Sequence, residues 1–429
     1  MLHVAVVGGG PAGAWAALKL ARAGASATVF DASHPREKPC GGGLTGRAVE
    51  LIVRELGMLP VHAVSVHHAR FERAMASPAD AARVEQGDAA ALRLVDRGLS
   101  PESSLIIASR TQLDRALLDA ALDAGATLVA DRVIDLTVSA SGASIRTRRA
   151  TYRAEIVLGA DGANSLVRRR VAAAFTRRQI SIGTGYFVHG ASSREVAIRW
   201  VGSPPGYLWS FPRPDHLAVG ICAHSTDESS VERLRQHVAS WIAAADLARG
   251  PVRLEPYSWP IPTLPAEDLD RPPLAADCWM LLGDAAGLVD PLTREGIYYA
   301  LASAELAAAA IGRDRNPVAA YRARVADVIL PELRRASKLK DGFFCAGFSR
   351  LVVHALRESA AMRAVMSDLI AGRQPYTGLR RRLLSTGRLG LAFRVIKEAR
   401  ASRTKAKKRT LPPLARDRSC QTPRPRGKT

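Results

Sequence analysis

The sequence predicts an α/β fold: a parallel sheet discontinuous in sequence, an inserted α+β domain built on an antiparallel sheet, and a helical C-terminal region. Three observations predict it. A glycine-rich loop, Gly8-x-Gly10-x-x-Gly13, lies between a short apolar run at 4–7 and an alanine-rich helical stretch. Two later apolar runs, 156–158 and 279–282, lead into Gly159-Ala160-Asp161-Gly162 and Gly283-Asp284, as buried parallel strands lead into turns. Between them, short segments at 195–201, 207–211 and 217–222 are separated by Pro204-Pro205-Gly206 and Pro212-Arg213-Pro214-Asp215, which are hairpin signals.

The elements follow in order. A strand at 4–7, a helix over 14–23 stopped by Gly24, and a strand at 27–30 closed by Asp31 make a βαβ opening. A strand at 105–108 precedes a helix with Thr111 as its N-cap and Leu113, Ala116, Leu117, Ala120 and Ala121 on one face. Strands follow at 127–130 and 133–138, a helix at 231–245 and a long helix at 296–310. Residues 1–60, 100–180 and 272–330 are assigned to the dinucleotide domain, and 61–99 and 181–271 to the insert. Residues 331–400 form the helical C-terminal region, and 401–429 a basic disordered tail.

Composition narrows the function. Of 429 residues, 47% are apolar and 24% charged, which excludes a chain disordered throughout. There is no apolar run of about 18 residues to span a membrane, and no secretory signal pattern, so a cytoplasmic location is expected. Five scattered cysteines without a CxxC pair argue against a disulfide framework or a thiolate zinc site. His62, His67 and His68 lack acidic or thiolate companions at ligand spacing, so no metal is expected. The net charge of +21 belongs to one end: residues 373–429 carry 18 of the 61 Lys and Arg but only 2 of the 40 Asp and Glu. Without a base-reading module this excludes nucleic acid as the expected partner. Residues 379–400 mix leucines with arginines, as in a basic helix on an anionic membrane surface, although Gly387 and Gly390 weaken that helix.

The glycine loop has a definite mechanics. Gly8 makes the tight turn, Gly10 lets a pyrophosphate approach the backbone, and Gly13 allows close helix–strand packing. The helix N-terminus offers free N–H groups and its positive dipole end to phosphates. Asp31 is placed to accept from ribose hydroxyls, which favours FAD or NAD over NADP.

Gly159-Ala160-Asp161-Gly162-Ala163-Asn164-Ser165-Leu166-Val167-Arg168-Arg169 resembles the DG motif of FAD-dependent hydroxylase-type flavoproteins. Gly283-Asp284-Ala285-Ala286-Gly287, with Asp290-Pro291-Leu292-Thr293-Arg294-Glu295-Gly296-Ile297, resembles their GD motif. Within that group, Lys38-Pro39-Cys40-Gly41-Gly42-Gly43-Leu44 and Pro205-Gly206-Tyr207-Leu208-Trp209-Ser210-Phe211-Pro212 resemble the geranylgeranyl reductase family, the latter through its YxWxFP motif. The resemblance covers roughly 1–330 and implies a Rossmann-like FAD-binding domain. Gly8, Gly10, Pro11, Ala12, Gly13 and Asp31 would hold the ADP half, with Asp161 and Gly162 packed under the cofactor. Asp284 would accept from the ribityl chain, while Gly287, Pro291, Gly296 and Ile297 would lie near the isoalloxazine ring. Cys40, Gly41 and Gly42 would approach that ring, and Arg110 would support the flavin or be a surface charge. Arg294 stands where the family usually has glycine.

Tyr207, Trp209 and Phe211 share one strand face, either as core or as a flat wall for a prenyl chain. Cys40 is either a small buried residue or a site residue. The resemblance implies hydride transfer from reduced FAD to a double bond of a prenyl-chain lipid or quinone, with Cys40, Tyr207 and Trp209 as candidate catalytic residues. NAD(P)H or a ferredoxin-like protein would supply electrons. A flavin monooxygenase is the alternative.

Overall fold

The computed structural model describes residues 2–73, 89–94, 105–225, 230–248, 250–271, 273–344 and 346–386. The expected basic tail, and the expected helix beyond residue 386, lie outside the described residues.

The chain opens with β1 (His3–Val7), α1 (Pro11–Arg22), β2 (Ser26–Phe30), β3 (Gly43–Leu44), α2 (Gly46–Leu56) and β4 (Ala63–Val66). Then come β5 (His68–Glu72), β6 (Ala89–Arg93), β7 (Leu105–Ala108), α3 (Arg110–Asp123), β8 (Thr127–Val129), β9 (Val133–Ser139), β10 (Gly142–Thr147) and β11 (Thr151–Ala154). The middle holds β12 (Ile156–Gly159), α4 (Leu166–Val171), β13 (Ile180–His189), β14 (Glu195–Gly202), β15 (Pro205–Pro212), β16 (His216–His224), α5 (Val231–Ala244) and β17 (Arg253–Pro262). The last part is β18 (Ala275–Ala276), β19 (Trp279–Leu281), α6 (Gly283–Ala286), α7 (Ile297–Arg313), α8 (Pro317–Val328), α9 (Leu330–Phe343), α10 (Ala346–Glu358), α11 (Ala360–Ile370) and α12 (Leu379–Leu384).

β1 sits centrally in a six-stranded sheet ordered β18-β19-β12-β1-β2-β8, parallel except at the β18 edge. Buried parallel strands need cover, which explains their unbroken apolar runs. α1 packs on β1 and β2 between α3 and α7, and the small sheet β11-β10-β9 packs against β1 and β12. Trp15, Leu18 and Leu20 of α1 are fully buried there. Gly24 ends the helix with φ +81°, a conformation that favours glycine.

The insert is a seven-stranded sheet ordered β17-β13-β16-β15-β14-β5-β6, antiparallel apart from the β14–β5 pair. Leu234, Val238, Trp241 and Ile242 of α5 cover one face, against Leu208, Val219 and Ile221. The opposite face looks toward the parallel-sheet domain and carries the aromatic residues of β15. Phe343 of α9, Phe344 just after it and Phe348 of α10 close part of that face. Two details differ from expectation. β4 pairs with β7, beside β3, instead of joining the large sheet. The N-cap of α3 is Ser109, whose Oγ accepts from Gln112 N at 3.4 Å; Thr111 already lies inside the helix.

α12 stops at Leu384, short of the helix expected over 379–400. Leu383 and Leu384 pack against Ala355 and Met362, and Arg382 pairs with Asp368. These leucines are half-buried against the protein.

A Cβ at Gly13 would overlap the Gly8 carbonyl oxygen. Alanine is the better helix former, yet Gly13→Ala is expected to lose about 1–3 kcal/mol of stability through this overlap. Urea unfolding measures it.

Candidate active site

One cavity of about 1070 Å³ joins the two sheets. Its nucleotide end is walled by the loop after β1, the loop after β12 and the segment before α7. Its far end lies over the large sheet and under α9 and α11.

The nucleotide end follows from backbone geometry. Gly8 has φ +106°, and a Cβ there would come within 2.5 Å of Ala160 O, so the loops after β1 and β12 touch. Gly10 is the N-cap of α1 and Pro11, which has no N–H, is its first residue. No side chain caps this helix and no acid occupies its first turn, which leaves the N–H groups of Ala12 and Gly13 for a ligand. Asp31 Oδ2 accepts from Gly9 N (2.7 Å) and faces His34 Nδ1 (2.8 Å), while Oδ1 accepts from Ser33 N (2.6 Å) and His34 N (2.9 Å). Burial opposes its charge, but His34 and these backbone donors outweigh it and hold the carboxyl well below its usual range. Asp31 thus anchors the glycine loop, and a ribose hydroxyl would replace one of its present donors. Asp161 accepts from Ser165 Oγ, from Leu166 N (2.6 Å) and from Val167 N (3.1 Å), capping α4. Burial nevertheless pushes its carboxyl up.

At the other wall, Asp284 Oδ2 accepts from Lys38 Nζ at 2.7 Å. A Cβ on Gly296, the N-cap of α7, would stand 3.1 Å from Asp284 Oδ1. Glu295 accepts from Thr45 Oγ1 (2.7 Å) and pairs with Arg47 at 3.5 Å; burial pushes its carboxyl up.

Arg110 is buried, with 3% exposure, so it is no surface charge. It forms a two-point pair with Asp114 (2.9 and 2.8 Å), and its Nη1 is 3.6 Å from Cys40 Sγ. Burial works against the guanidinium charge, but Asp114 outweighs it and holds the group above its usual range. Cys40 Sγ also accepts from Gly42 N at 3.2 Å. The glycines beside it answer to protein contacts. A Cβ on Gly41 would overlap the Phe211 ring, and one on Gly42 (φ +76°) would overlap Ala108 O. Their small size seats the loop on β15 and β7, a constraint that holds before any flavin ring is considered.

The floor is set by strand register. Trp200, Tyr207, Cys222, Gly183 and Trp259 form one row across five strands, and Ile198, Trp209 and Gly220 lie in the next. A Cβ on Gly220 would stand 2.5 Å from the Trp209 ring, so the indole lies over that glycine. Tyr207 OH donates to Thr293 O at 2.7 Å, and burial raises the phenol above its usual range, keeping it neutral.

Of the residues singled out in sequence, Gly8, Gly10, Pro11, Ala12, Asp31, Cys40, Gly41, Gly42, Arg110, Asp161, Gly162, Tyr207, Trp209, Asp284, Gly296 and Ile297 line this cavity. Gly13, Gly287 and Pro291 do not. Gly287 ends α6 with φ +76° and backs onto Leu264, so it shapes the turn from behind. Sequence reasoning missed Glu37, Arg213 and Asp114. Asp114 was legible as the i+4 partner of Arg110; Glu37 and Arg213 have no local signal. His62, His67 and His68 are exposed, and no metal-binding cluster of His, Cys, Asp and Glu occurs among the described residues.

A protein-family profile described as FAD binding domain matches residues 1–306. The chain belongs to that family. Geranylgeranyl diphosphate reductase of Nicotiana tabacum is 31% identical over 333 residues, 72% of this chain and 66% of the tobacco protein. Menaquinone reductase of Mycolicibacterium smegmatis is 31% identical over 325 residues, 71% of this chain and 75% of that one. A geranylgeranyl bacteriochlorophyll reductase-like protein from Thermoplasma acidophilum superposes with TM-score 0.69 at 20% identity, covering 90% of this chain and 100% of that chain. The flavin-dependent halogenase CmlS superposes with TM-score 0.64 at 20% identity, covering 95% of this chain and 77% of that chain. These two structures show the fold alone.

This flavoprotein is thus an FAD-dependent oxidoreductase of the geranylgeranyl reductase and menaquinone reductase type. The site fits the cofactor. The open α1 terminus suits a pyrophosphate, the Gly8 and Gly10 backbone admits close approach, and the Asp284–Lys38 pair offers an acceptor and a donor to a polyol chain.

Two tests follow from the flavoprotein's electrostatics. Asp114→Asn leaves a buried guanidinium unpaired and is expected to cost about 3–5 kcal/mol in denaturant unfolding, whereas Arg110→Met with Asp114→Leu is expected to cost less. Asp31 has its folded pKa below the usual 3.8, so its contribution is complete above that pH and fades as pH falls through and below it. The unfolding free energy of Asp31→Asn is accordingly expected to decline less steeply than wild type below about pH 4.

Proposed function

We propose that the enzyme saturates carbon–carbon double bonds in the prenyl chain of a lipid or quinone. The observation that carries this reading is the far arm of the cavity. Phe71, Val196, Ile198, Trp200, Phe343 and Met366 wall it, and it is continuous with the nucleotide end. A long apolar chain has few polar handles and is held by shape and apolar area, which this arm provides.

Bound FAD would supply a hydride to one alkene carbon. The chain's own residues do the rest. The aromatic floor, Tyr207 and Trp209 above all, lays the chain flat and excludes water, so positioning supplies much of the rate for a poor hydride acceptor. The Cys40 thiol stands at the junction of cofactor loops and floor, and delivers a proton to the neighbouring carbon. Cys40→Ser is expected to lower turnover at least about 10²-fold, with FAD content unchanged. Electrons arrive from NAD(P)H or a ferredoxin-like protein. Residues 387–429 bring the enzyme to an anionic cytoplasmic membrane face, supported by the charge concentrated there.

The test reduces FAD-loaded enzyme with dithionite under anaerobic conditions and offers geranylgeranyl lipids and prenylated quinones. Products heavier by pairs of hydrogens are expected in mass spectra. Oxygen insertion with NAD(P)H and air, and no hydrogenated product, would overturn the reading in favour of a monooxygenase.

A further inference from the structure

Arg294 is a half-buried arginine in the left-handed region, at φ +63°, on the turn between Asp290 and α7. Its side chain leaves the nucleotide end and crosses to the large sheet. Nε lies 3.3 Å from Cys222 Sγ, in the floor row that also holds Trp200 and Tyr207. The guanidinium stands 5.7 Å from the Phe344 ring centre. Among the described residues no carboxylate lies within 4.0 Å of it, and Nη1 is buried without a hydrogen-bond partner. A cation without a counter-charge in an apolar arm is costly, and the cost is relieved when a ligand oxygen accepts from it.

We propose that Arg294 selects the substrate by donating to a carbonyl oxygen on a planar ring that carries the prenyl chain, as in a prenylated quinone. The proposal rests on the prenyl-reductase reading and narrows it. The neighbours favour a ring: Tyr207 and Trp200 offer flat apolar surfaces in the cavity beside the Arg294 donor. A diphosphate carries several negative charges and calls for a cluster of cations converging on it, whereas among the described residues the side-chain contact to Cys222 in the floor row comes from Arg294. The guanidinium reaches the floor row on the substrate side, and it makes no hydrogen bond to Gly8, Asp284 or Ile297 at the cofactor end.

The test uses full-length, FAD-loaded, oxidised enzyme and reads binding by calorimetry and flavin absorbance. Three ligands are compared: a naphthoquinone bearing two isoprene units, the same prenylated naphthalene without ring oxygens, and geranylgeranyl diphosphate. Arg294→Gly suits the positive φ and should fold; Arg294→Lys keeps the charge. For Arg294→Gly the quinone is expected to bind about 10- to 100-fold more weakly, with the deoxygenated analogue within about two-fold of wild type. Arg294→Lys should recover part of the loss. An equal effect on both ring ligands, or a shifted flavin reduction potential with ligand affinities unchanged, overturns the assignment and makes Arg294 a residue of the turn or the flavin. An Arg294-dependent preference for the diphosphate overturns the choice of a ring carbonyl. If wild type binds no prenylated ligand at all, the prenyl-reductase reading falls, and this proposal with it.

Discussion

Arg213 extends from the end of β15 into a space where its side chain has no solvent exposure. Its guanidinium donates to Ala108 O at 2.5 Å and to Cys40 O at 2.9 Å, and pairs with Glu37 at 3.0 Å. A fully buried charge is costly unless paired and hydrogen-bonded, so displacing any of these three segments would penalise Arg213. Glu37 continues the network, accepting from Ser109 Oγ, Thr111 N and Arg110 N at the start of α3. Burial resists its charge, and Arg213 with these donors holds its carboxyl below the usual range. One linkage therefore fixes the Cys40 loop, the first turn of α3 that carries Arg110, and the strand that carries Tyr207 and Trp209.

With that linkage in place, the site is shaped by where side chains are missing. Phe211 can lie on the Cys40 loop because Gly41 has no Cβ, and Trp209 can lie flat because Gly220 has none. Cross-strand neighbours share a face, so a one-residue slip of β15 would turn Tyr207 and Trp209 toward α5 and Leu208 into the cavity, and one of β14 would turn Trp200 toward α5. The buried Arg199–Glu72 pair at 2.5 Å opposes such a slip. Arg199 faces Trp241 of α5, and exposing it to the apolar floor would separate it from its carboxylate.

What could be read from sequence was local. The glycine loop, the DG and GD turns and the alternation of Tyr207, Trp209 and Phe211 each encode their geometry within a dozen residues. The βαβ opening and the β14–β15–β16 meander follow from period and turn chemistry alone. The N-cap of α3 was missed by two residues because Ser109 and Thr111 are both good caps, and both hydroxyls donate to Glu37, some seventy positions away in sequence. Greater separations, 105 and 173 positions to its partners Ala108 and Cys40, hide Arg213, and sequence distance hides the closure of the apolar arm by α9 and α11. The contact of the α12 leucines with Ala355 and Met362 was likewise hidden, because a 3.6-residue period does not say which neighbour they will meet.

The left-handed arginine shows how the fold accommodates an unfavourable residue. For an L-residue this backbone region costs roughly 1–2 kcal/mol, and such strain persists only where the surroundings over-determine it. Here they do. Asp290 N donates to Glu295 O at 2.8 Å and Arg294 N to Asp290 O at 2.9 Å. The Asp290 carboxylate accepts from Leu292 N, Thr293 N and Tyr376 OH, and Tyr207 OH holds Thr293 O from the floor. The turn is thus clamped from the C-terminal region on one side and from the substrate sheet on the other. Relaxing φ at position 294 would break several of these bonds together, so the backbone stays and the side chain is left projecting into the arm. The clamp also means that Tyr207, a floor residue, senses the position of the turn that leads into Gly296 and α7. Cofactor wall and substrate floor are therefore joined through Arg213, through Tyr207 and through the Arg294–Cys222 contact, and a ligand that displaced the Tyr207 phenol from Thr293 would loosen the turn at the cofactor end.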